Sequence, residues 1–279
     1  MNGKGDKWRG GWTTEYADNF DSIFNKEKRM KKRVFIFDVD GTLTPSRLPM
    51  TDEMNRYFGA WLKHNKFYLV TGSDISKLQE QMCYYDIESE GFFTCCGNEF
   101  WIPDPHVVNI SAELVYENKW TPPGDLLHFL EHVLERNDYH PKTGNHIEDR
   151  GTMINFSIVG RNCTLEQRHD YSVHDEVSQE RNKLAKEIVD RWPELDAAVG
   201  GQISVDIYPK GKDKSQVLDV IKQHQLTPAD EYIFIGDRTM EGGNDYPLAK
   251  LMDTEAGCKY YQVKNWEETK TILEKYAEE

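Results

Sequence analysis

Two aspartates two residues apart, Asp38 and Asp40, follow an apolar run, Val34 to Phe37, and enter a glycine-containing turn, Phe37-Asp38-Val39-Asp40-Gly41-Thr42-Leu43-Thr44. Carboxylates released from a buried strand into one crevice need partners, because neither is cheaply buried alone. A calcium loop is excluded, since the twelfth position counted from Asp38 is Pro49, where a bidentate Glu would stand. Three other stretches supply partners. Asp237 closes the run Tyr232 to Ile235 and precedes Gly242-Gly243-Asn244-Asp245; with Asp38 and Asp40 it offers oxygen ligands to a hard cation such as Mg²⁺. Thr71-Gly72-Ser73-Asp74 follows the run Phe67 to Val70 and brings hydroxyls and backbone N–H groups to a helix start, a seat for phosphate. Lys214, at the start of another helix, can hold a phosphoryl group against a carboxylate nucleophile. These parts together describe phosphoryl transfer. Asp38 attacks phosphorus, the cation and Lys214 neutralise the equatorial oxygens, and Asp40 carries the proton of the leaving or attacking hydroxyl.

The elements that must position these groups alternate between strand and helix. Val34 to Phe37, Phe67 to Val70 and Phe92 to Cys95 are short continuous apolar runs, as expected of parallel strands covered on both faces. A helix is predicted from Thr51, with Asp52 and Glu53 in its first turn and Met54, Phe58, Trp61 and Leu62 apolar; Ile75, Leu78 and Met82 mark the next. Prolines 103, 105, 122 and 123 then break the pattern, and Ile154, Phe156 and Ile158 alternate with polar neighbours as in a half-exposed antiparallel strand. The first pattern resumes with a helix from Lys214 to His224, strands at Tyr232 to Ile235 and near Tyr260 to Val263, and a terminal helix carrying Trp266, Ile272, Leu273 and Tyr276. The expected architecture is α/β: a Rossmann-like parallel-sheet core over residues 32–104 and 207–279, split by an inserted α+β cap at residues 105–206. Clefts between the carboxyl edge of such a sheet and a second domain favour ligands. Residues 1–31 form an extension in which Trp8, Trp12, Tyr16, Phe20 and Phe24 recur every four positions, as along one helix face, followed by a basic cluster from Lys26 to Arg33.

Composition narrows the class. Of 279 residues, 34 are Lys or Arg and 48 are Asp or Glu, a net charge of −14 that opposes a nucleic-acid partner. No apolar stretch approaches the roughly 18 to 20 residues of a membrane span, and the first residues lack the apolar segment of a secretory signal, so a cytoplasmic protein without membrane partners is expected. The five cysteines include no CxxC pair and are expected to be reduced thiols.

The four chemical stretches, in this order, resemble the haloacid dehalogenase superfamily of phosphotransferases. From Arg33 to Tyr276 the chain is similar to the eukaryotic phosphomannomutase family: DVDGTLT followed by Arg47, Ile147-Glu148 through Arg150, Ile158-Val159-Gly160-Arg161, Glu166-Gln167-Arg168, Gly200-Gly201-Gln202-Ile203-Ser204-Val205-Asp206, and Gly236 to Asp245. It departs at Thr71, where familiar members have Gly, and at Tyr246-Pro247-Leu248-Ala249. The resemblance implies a mutase acting on phosphorylated hexoses with Mg²⁺, through phospho-Asp38 and a hexose 1,6-bisphosphate that also serves as activator. It assigns Arg150, Arg161, Arg168, Ser204 and Asp206 to a sugar-phosphate site on the cap and Arg47 to the substrate site between domains. Asp38, the Asp40 carbonyl and Asp237 would ligate metal with support from Asp245, and Thr71, Ser73 and Lys214 would hold the moving phosphoryl. It further implies a possible homodimer through the cap. A sugar-phosphate phosphatase, in which water meets the phosphoenzyme, and a non-catalytic phosphosugar-binding protein are the competing readings.

Overall fold

The computed structural model describes residues 31–82, 89–103, 112–223 and 226–277. The N-terminal aromatic stripe, the basic residues up to Arg29, Cys83 and the expected start of the insertion at residue 105 lie outside them. In chain order the strands are β1 (Arg33–Phe37), β2 (Lys66–Val70), β3 (Gly91–Thr94), β4 (Glu99–Pro103), β5 (Ala112–Glu117), β6 (Ile147–Asp149), β7 (Ile154–Ser157), β8 (Leu195–Gly200), β9 (Ser204–Pro209), β10 (Glu231–Gly236) and β11 (Cys258–Gln262).

They form two sheets. The larger runs in the order β11-β10-β1-β2-β3-β4-β5, parallel from β11 to β3 and antiparallel beyond. Alternate residues of β1 enter different cores: Phe35 and Phe37 pack with Phe58, Trp61, Phe67 and Leu273, whereas Val34 and Ile36 pack with Val217, Leu218 and Leu248. This two-sided burial explains why the run is continuously apolar. The helix Asp52–Trp61 covers one face; the Thr51 hydroxyl accepts the Met54 N–H as its cap, and Met54, Phe58 and Trp61 point inward. On one side of β1 the chain continues to β2 and β3, and on the other lie β10 and β11. The carboxyl end of β1 is therefore a topological switch point, where open α/β sheets bind ligands.

Residues 112–117, placed within the insertion by sequence, instead form β5 and pair with β4 at the edge of the larger sheet. The antiparallel return from β4 carries them there, a long-range pairing that the surrounding prolines concealed. The second sheet, β6-β7-β9-β8, is antiparallel throughout. Ile154, Phe156, Val205 and Ile207 on one face pack against Leu126 and Leu130 of the helix Gly124–Arg136, Tyr171 of the helix Leu165–Ser178, and Ile188 of the helix Glu180–Arg191. The other face carries Asn155, Ser157, Ser204 and Asp206, and here β7 departs from expectation: all four of its residues are buried. Asn155 faces not water but Asp206 and Arg161, and the Ser157 hydroxyl accepts the Gly160 N–H (3.2 Å) of the following loop. Lys214 sits in the turn before the helix Gln216–Gln223, two residues ahead of its first residue. Among the described residues no helix is long and apolar enough to cross a membrane.

Candidate active site

Asp38 leaves β1 between β10 and β2, and its N–H donates to the Ile235 carbonyl (2.9 Å), extending the ladder by one bond. The turn beyond it is wound tightly, with the N–H groups of Thr42, Leu43 and Thr44 all directed at the Val39 carbonyl. Gly41 has φ +81°, and a Cβ there would lie 2.6 Å from Oδ2 of Asp237, so position 41 tolerates no side chain. The spacing of the DxDG stretch is thus tied to the neighbouring strand end.

Asp38, Asp237 and Asp245 bring carboxylate oxygens within 4.8 Å of one another. Lys214, wholly buried, donates to Oδ1 of Asp38 (2.6 Å) and Oδ1 of Asp245 (2.7 Å), and the Thr42 hydroxyl donates to Oδ2 of Asp38 (3.3 Å). Burial, then the neighbouring Asp245, hold the Asp38 carboxyl well above its usual range despite Lys214; burial and Asp245 also push Asp237 up to about 7. Lys214 is raised as well: burial disfavours its charge, but Asp245 and Asp38 outweigh that. Three acidic groups around one ammonium leave surplus negative charge on hard oxygen donors, a set that fits a divalent cation such as Mg²⁺.

The Asp40 carboxylate stands apart from that cluster. Its Oδ1 accepts the Arg47 N–H and Nε2 of Gln81 (3.0 Å), while Oδ2 faces the Ser73 hydroxyl at 3.5 Å. Thr71 takes the Ser73 N–H on its own hydroxyl (3.0 Å), which fixes the Thr71-Gly72-Ser73 turn.

Opposite lies an arginine cluster carried by the second sheet and its neighbouring helix. Arg150 and Arg161 share the carboxylate of Glu148, at 2.8 and 2.7 Å. Arg161 also donates to Asn155 and to the Ser204 hydroxyl (3.2 Å), and Arg150 to the Gly72 carbonyl of the larger sheet's loop. The Nε of both arginines is buried with no hydrogen-bond partner among the described residues. Arg161 is pushed down to about 10, by burial first and then by Arg150, against the pull of Glu148; Arg168 is lowered by burial and Arg47. Among the described residues Glu148 is the only carboxylate paired directly with the guanidinium groups of this cluster, while Asp206 and Asp40 act on Arg150 and Arg168 at longer range. Together with Arg47 the four guanidinium groups leave a demand for anion that a phosphate dianion meets.

Both groups line one cleft, whose walls include Asp38, Asp40, Arg47, Thr71, Ser73, Arg150, Arg161, Arg168, Ser204, Asp206 and Asp237. Lys214 and Asp245 stand behind Asp38, bound to it directly or through each other. Every residue singled out from sequence is therefore at this cleft or one contact away. Asp206 is the exception in condition rather than place. Its Oδ1 accepts from Asn155 (2.6 Å), and its Oδ2 from Asn244 (3.1 Å) and the Cys96 thiol (3.8 Å), so in this arrangement it ties the second sheet to the larger one instead of presenting free oxygens to a sugar. Sequence reasoning missed Asn155, Glu148 and Gln81 as participants. A polar residue inside an otherwise buried strand, as at Asn155, is the signal that could have found one of them.

A family model described as eukaryotic phosphomannomutase matches residues 54–278. A phosphomannomutase of Encephalitozoon cuniculi is 34% identical over 233 residues, covering 81% of this chain and 87% of that protein. One from Arabidopsis thaliana is 33% identical over 221 residues, covering 77% and 86%. Among solved structures, an IMP-bound, N-terminally truncated IMP-nucleotidase of Plasmodium falciparum shares the fold with TM-score 0.57 at 16% identity, over 95% of this chain and 80% of that one. A haloacid dehalogenase-like hydrolase from Bacteroides thetaiotaomicron does so with TM-score 0.54 at 16% identity, over 88% of this chain and all of that one.

Proposed function

The chain belongs to the eukaryotic phosphomannomutase family, and we propose that it interconverts hexose 6-phosphate and hexose 1-phosphate through phospho-Asp38 and a hexose 1,6-bisphosphate. The observation that carries this reading is a cleft with two anion stations: the Asp38, Lys214 and Asp237 end and the Arg47, Arg150, Arg161 and Arg168 end. A phosphatase needs only the first. A mutase must also grip the phosphate that is not being transferred, and release it when the bisphosphate turns round.

Phospho-Asp38, charged by hexose 1,6-bisphosphate, gives its phosphoryl to the free hydroxyl of the bound hexose monophosphate as the bond from phosphorus to the Asp38 oxygen breaks, and the Asp40 carboxylate takes that hydroxyl's proton. After that bisphosphate turns round, an Asp38 oxygen bonds to the other phosphorus as the bond from that phosphorus to the sugar oxygen breaks, and Asp40 returns the proton to the departing oxygen, which restores phospho-Asp38 and the Asp40 carboxylate. Asp38, the Asp40 carbonyl and Asp237, supported by Asp245, would hold Mg²⁺, which when bound supplies positive charge to the moving phosphoryl oxygens. Lys214 adds to that charge and keeps Asp38 in place, while Thr71 and Ser73 offer donors to the same oxygens. The remote arginines position the hexose, and closing the two sheets over it keeps water from phospho-Asp38.

One assay tests this. The protein is incubated with mannose 1-phosphate, Mg²⁺ and catalytic glucose 1,6-bisphosphate, and hexose 6-phosphate and free phosphate are measured. Hexose 6-phosphate without free phosphate is expected. Stoichiometric phosphate makes the protein a phosphatase, and neither product makes it a phosphosugar-binding protein.

A further inference from the structure

We propose that Gln81 is a positioning residue for Asp40, clamping one carboxylate oxygen so that the other is presented to the sugar; the proposal rests on the mutase reading above. Gln81 lies in the last turn of the helix Ile75–Met82 with no exposed surface, and its side chain runs beneath the Asp38 turn. Nε2 donates to Oδ1 of Asp40 (3.0 Å) and to the Thr44 hydroxyl oxygen (3.1 Å). The Thr44 hydroxyl proton is already committed to the Val39 carbonyl (3.2 Å), so its oxygen can only accept from Gln81. Both neighbours are acceptors, which sets the amide with its NH₂ toward the turn.

Oδ1 of Asp40 thus carries two donors, Gln81 and the Arg47 N–H, whereas among the described residues Oδ2 has only the long contact to Ser73, a residue of the cleft wall. The carboxylate torsion of Asp is broad and nearly two-fold, so nothing intrinsic to Asp40 chooses between its oxygens. Gln81 and the Arg47 N–H make the choice together, and Gln81 is the side-chain half of that clamp. Its backbone carbonyl also accepts the Met50 N–H (3.0 Å), so the same residue anchors the far end of the turn.

The test uses Gln81→Met, which keeps length but removes the donor, and Gln81→Glu, which keeps shape, so that one folded variant suffices. For hexose phosphates kcat is expected to fall about 10- to 100-fold with KM unchanged within about twofold. The burst of p-nitrophenolate from p-nitrophenyl phosphate, whose departing oxygen needs no proton, is expected to fall less than about threefold. Equal losses on the two substrates, or a KM change without a kcat change, would make Gln81 a purely structural residue and overturn the proposal, as would no loss at all. Asp40→Asn serves as the control. If it too spares hexose phosphate turnover, the role given to Asp40 fails; if it shows the substrate-selective loss and the Gln81 variants do not, only the present proposal fails.

Discussion

The ammonium of Lys214 lies 2.6 Å from Oδ1 of Asp38, and both side chains are closed to solvent, so each is the other's main compensation for burial. Breaking such a pair from one side strands an uncompensated charge, which costs about 3 to 5 kcal/mol. Here the stranded charge would be doubled, because Asp245 holds the same ammonium at 2.7 Å.

Lys214→Met should therefore lower stability strongly in the presence of a chelator and much less in excess Mg²⁺, since the cation can take over part of the ammonium's role. Activity should drop about 10²- to 10³-fold in either case. Thermal melts with and without Mg²⁺ check this; equal destabilisation under the two conditions would show that cation and lysine do not share a site.

Asp38→Asn should abolish turnover while leaving the circular dichroism close to that of the parent, with the melting temperature falling less than for Lys214→Met because Asp245 still holds the ammonium. Acid-quenched protein incubated with labelled hexose 1,6-bisphosphate should carry no acyl phosphate. Substantial residual turnover would remove Asp38 from the role of nucleophile.

The raised carboxyl of Asp237 has a direct consequence for stability. Its ordinary value is 3.8 and burial with Asp245 pushes it up to about 7. A carboxyl raised in the fold contributes stability that is complete at pH below the unfolded value and is lost as pH rises through the folded one. Metal-free protein should accordingly lose stability from this site between about pH 4 and pH 7. A divalent cation competes with protons for the same oxygens, so the Mg²⁺-induced rise in melting temperature should be larger near about pH 8 than near about pH 5. An equal rise at both would place the cation elsewhere.

What could be read from sequence was local. Asp38, Asp40 and Asp237 each follow an apolar strand by one or a few residues, so the strand end itself delivers them to the sheet edge, and the Thr51 cap with Met54, Phe58 and Trp61 specifies its helix without long-range help. What could not be read depends on which surface covers a face. Asn155 alternates with apolar residues as a solvent-facing position would, and only Arg161 and Asp206, the latter held to Asn244 of the larger sheet's loop, turn it inward. Gln81 is equally opaque: on a helix of mixed polarity it looks like a surface glutamine until the turn from Asp38 to Thr44 is laid over it.

Arg161→Ala should raise KM for hexose phosphates about 10-fold or more while sparing the p-nitrophenolate burst, because the small aryl phosphate has no second phosphate to hold. The parent arginine, held down to about 10 by burial and Arg150, should regain a full counter-charge only when an anion enters. Parallel losses on both substrates would count against a remote anion station.

Asp206 joins the two sheets, and the join reaches the catalytic end. Asn244, which donates to its Oδ2, immediately precedes Asp245, and the backbone of that loop pairs with β8 through Val199 N–H to the Gly242 carbonyl (2.8 Å) and Asn244 N–H to the Val199 carbonyl (3.1 Å). There is no spare room: a Cβ at Gly200 would lie 2.4 Å from Oδ2 of Asp206. Gly200→Ala should force Asp206 out of its donors, costing about 1 to 3 kcal/mol and lowering hexose phosphate turnover more than the aryl phosphate burst. A double-mutant cycle of Asp206→Ala with Asn244→Ala isolates the contact itself. Its coupling energy should exceed about 0.5 kcal/mol, the limit within which independent sites add. Additive losses would mean that the second sheet docks without this bond, and that the loop bearing Asp245 does not sense its arrival.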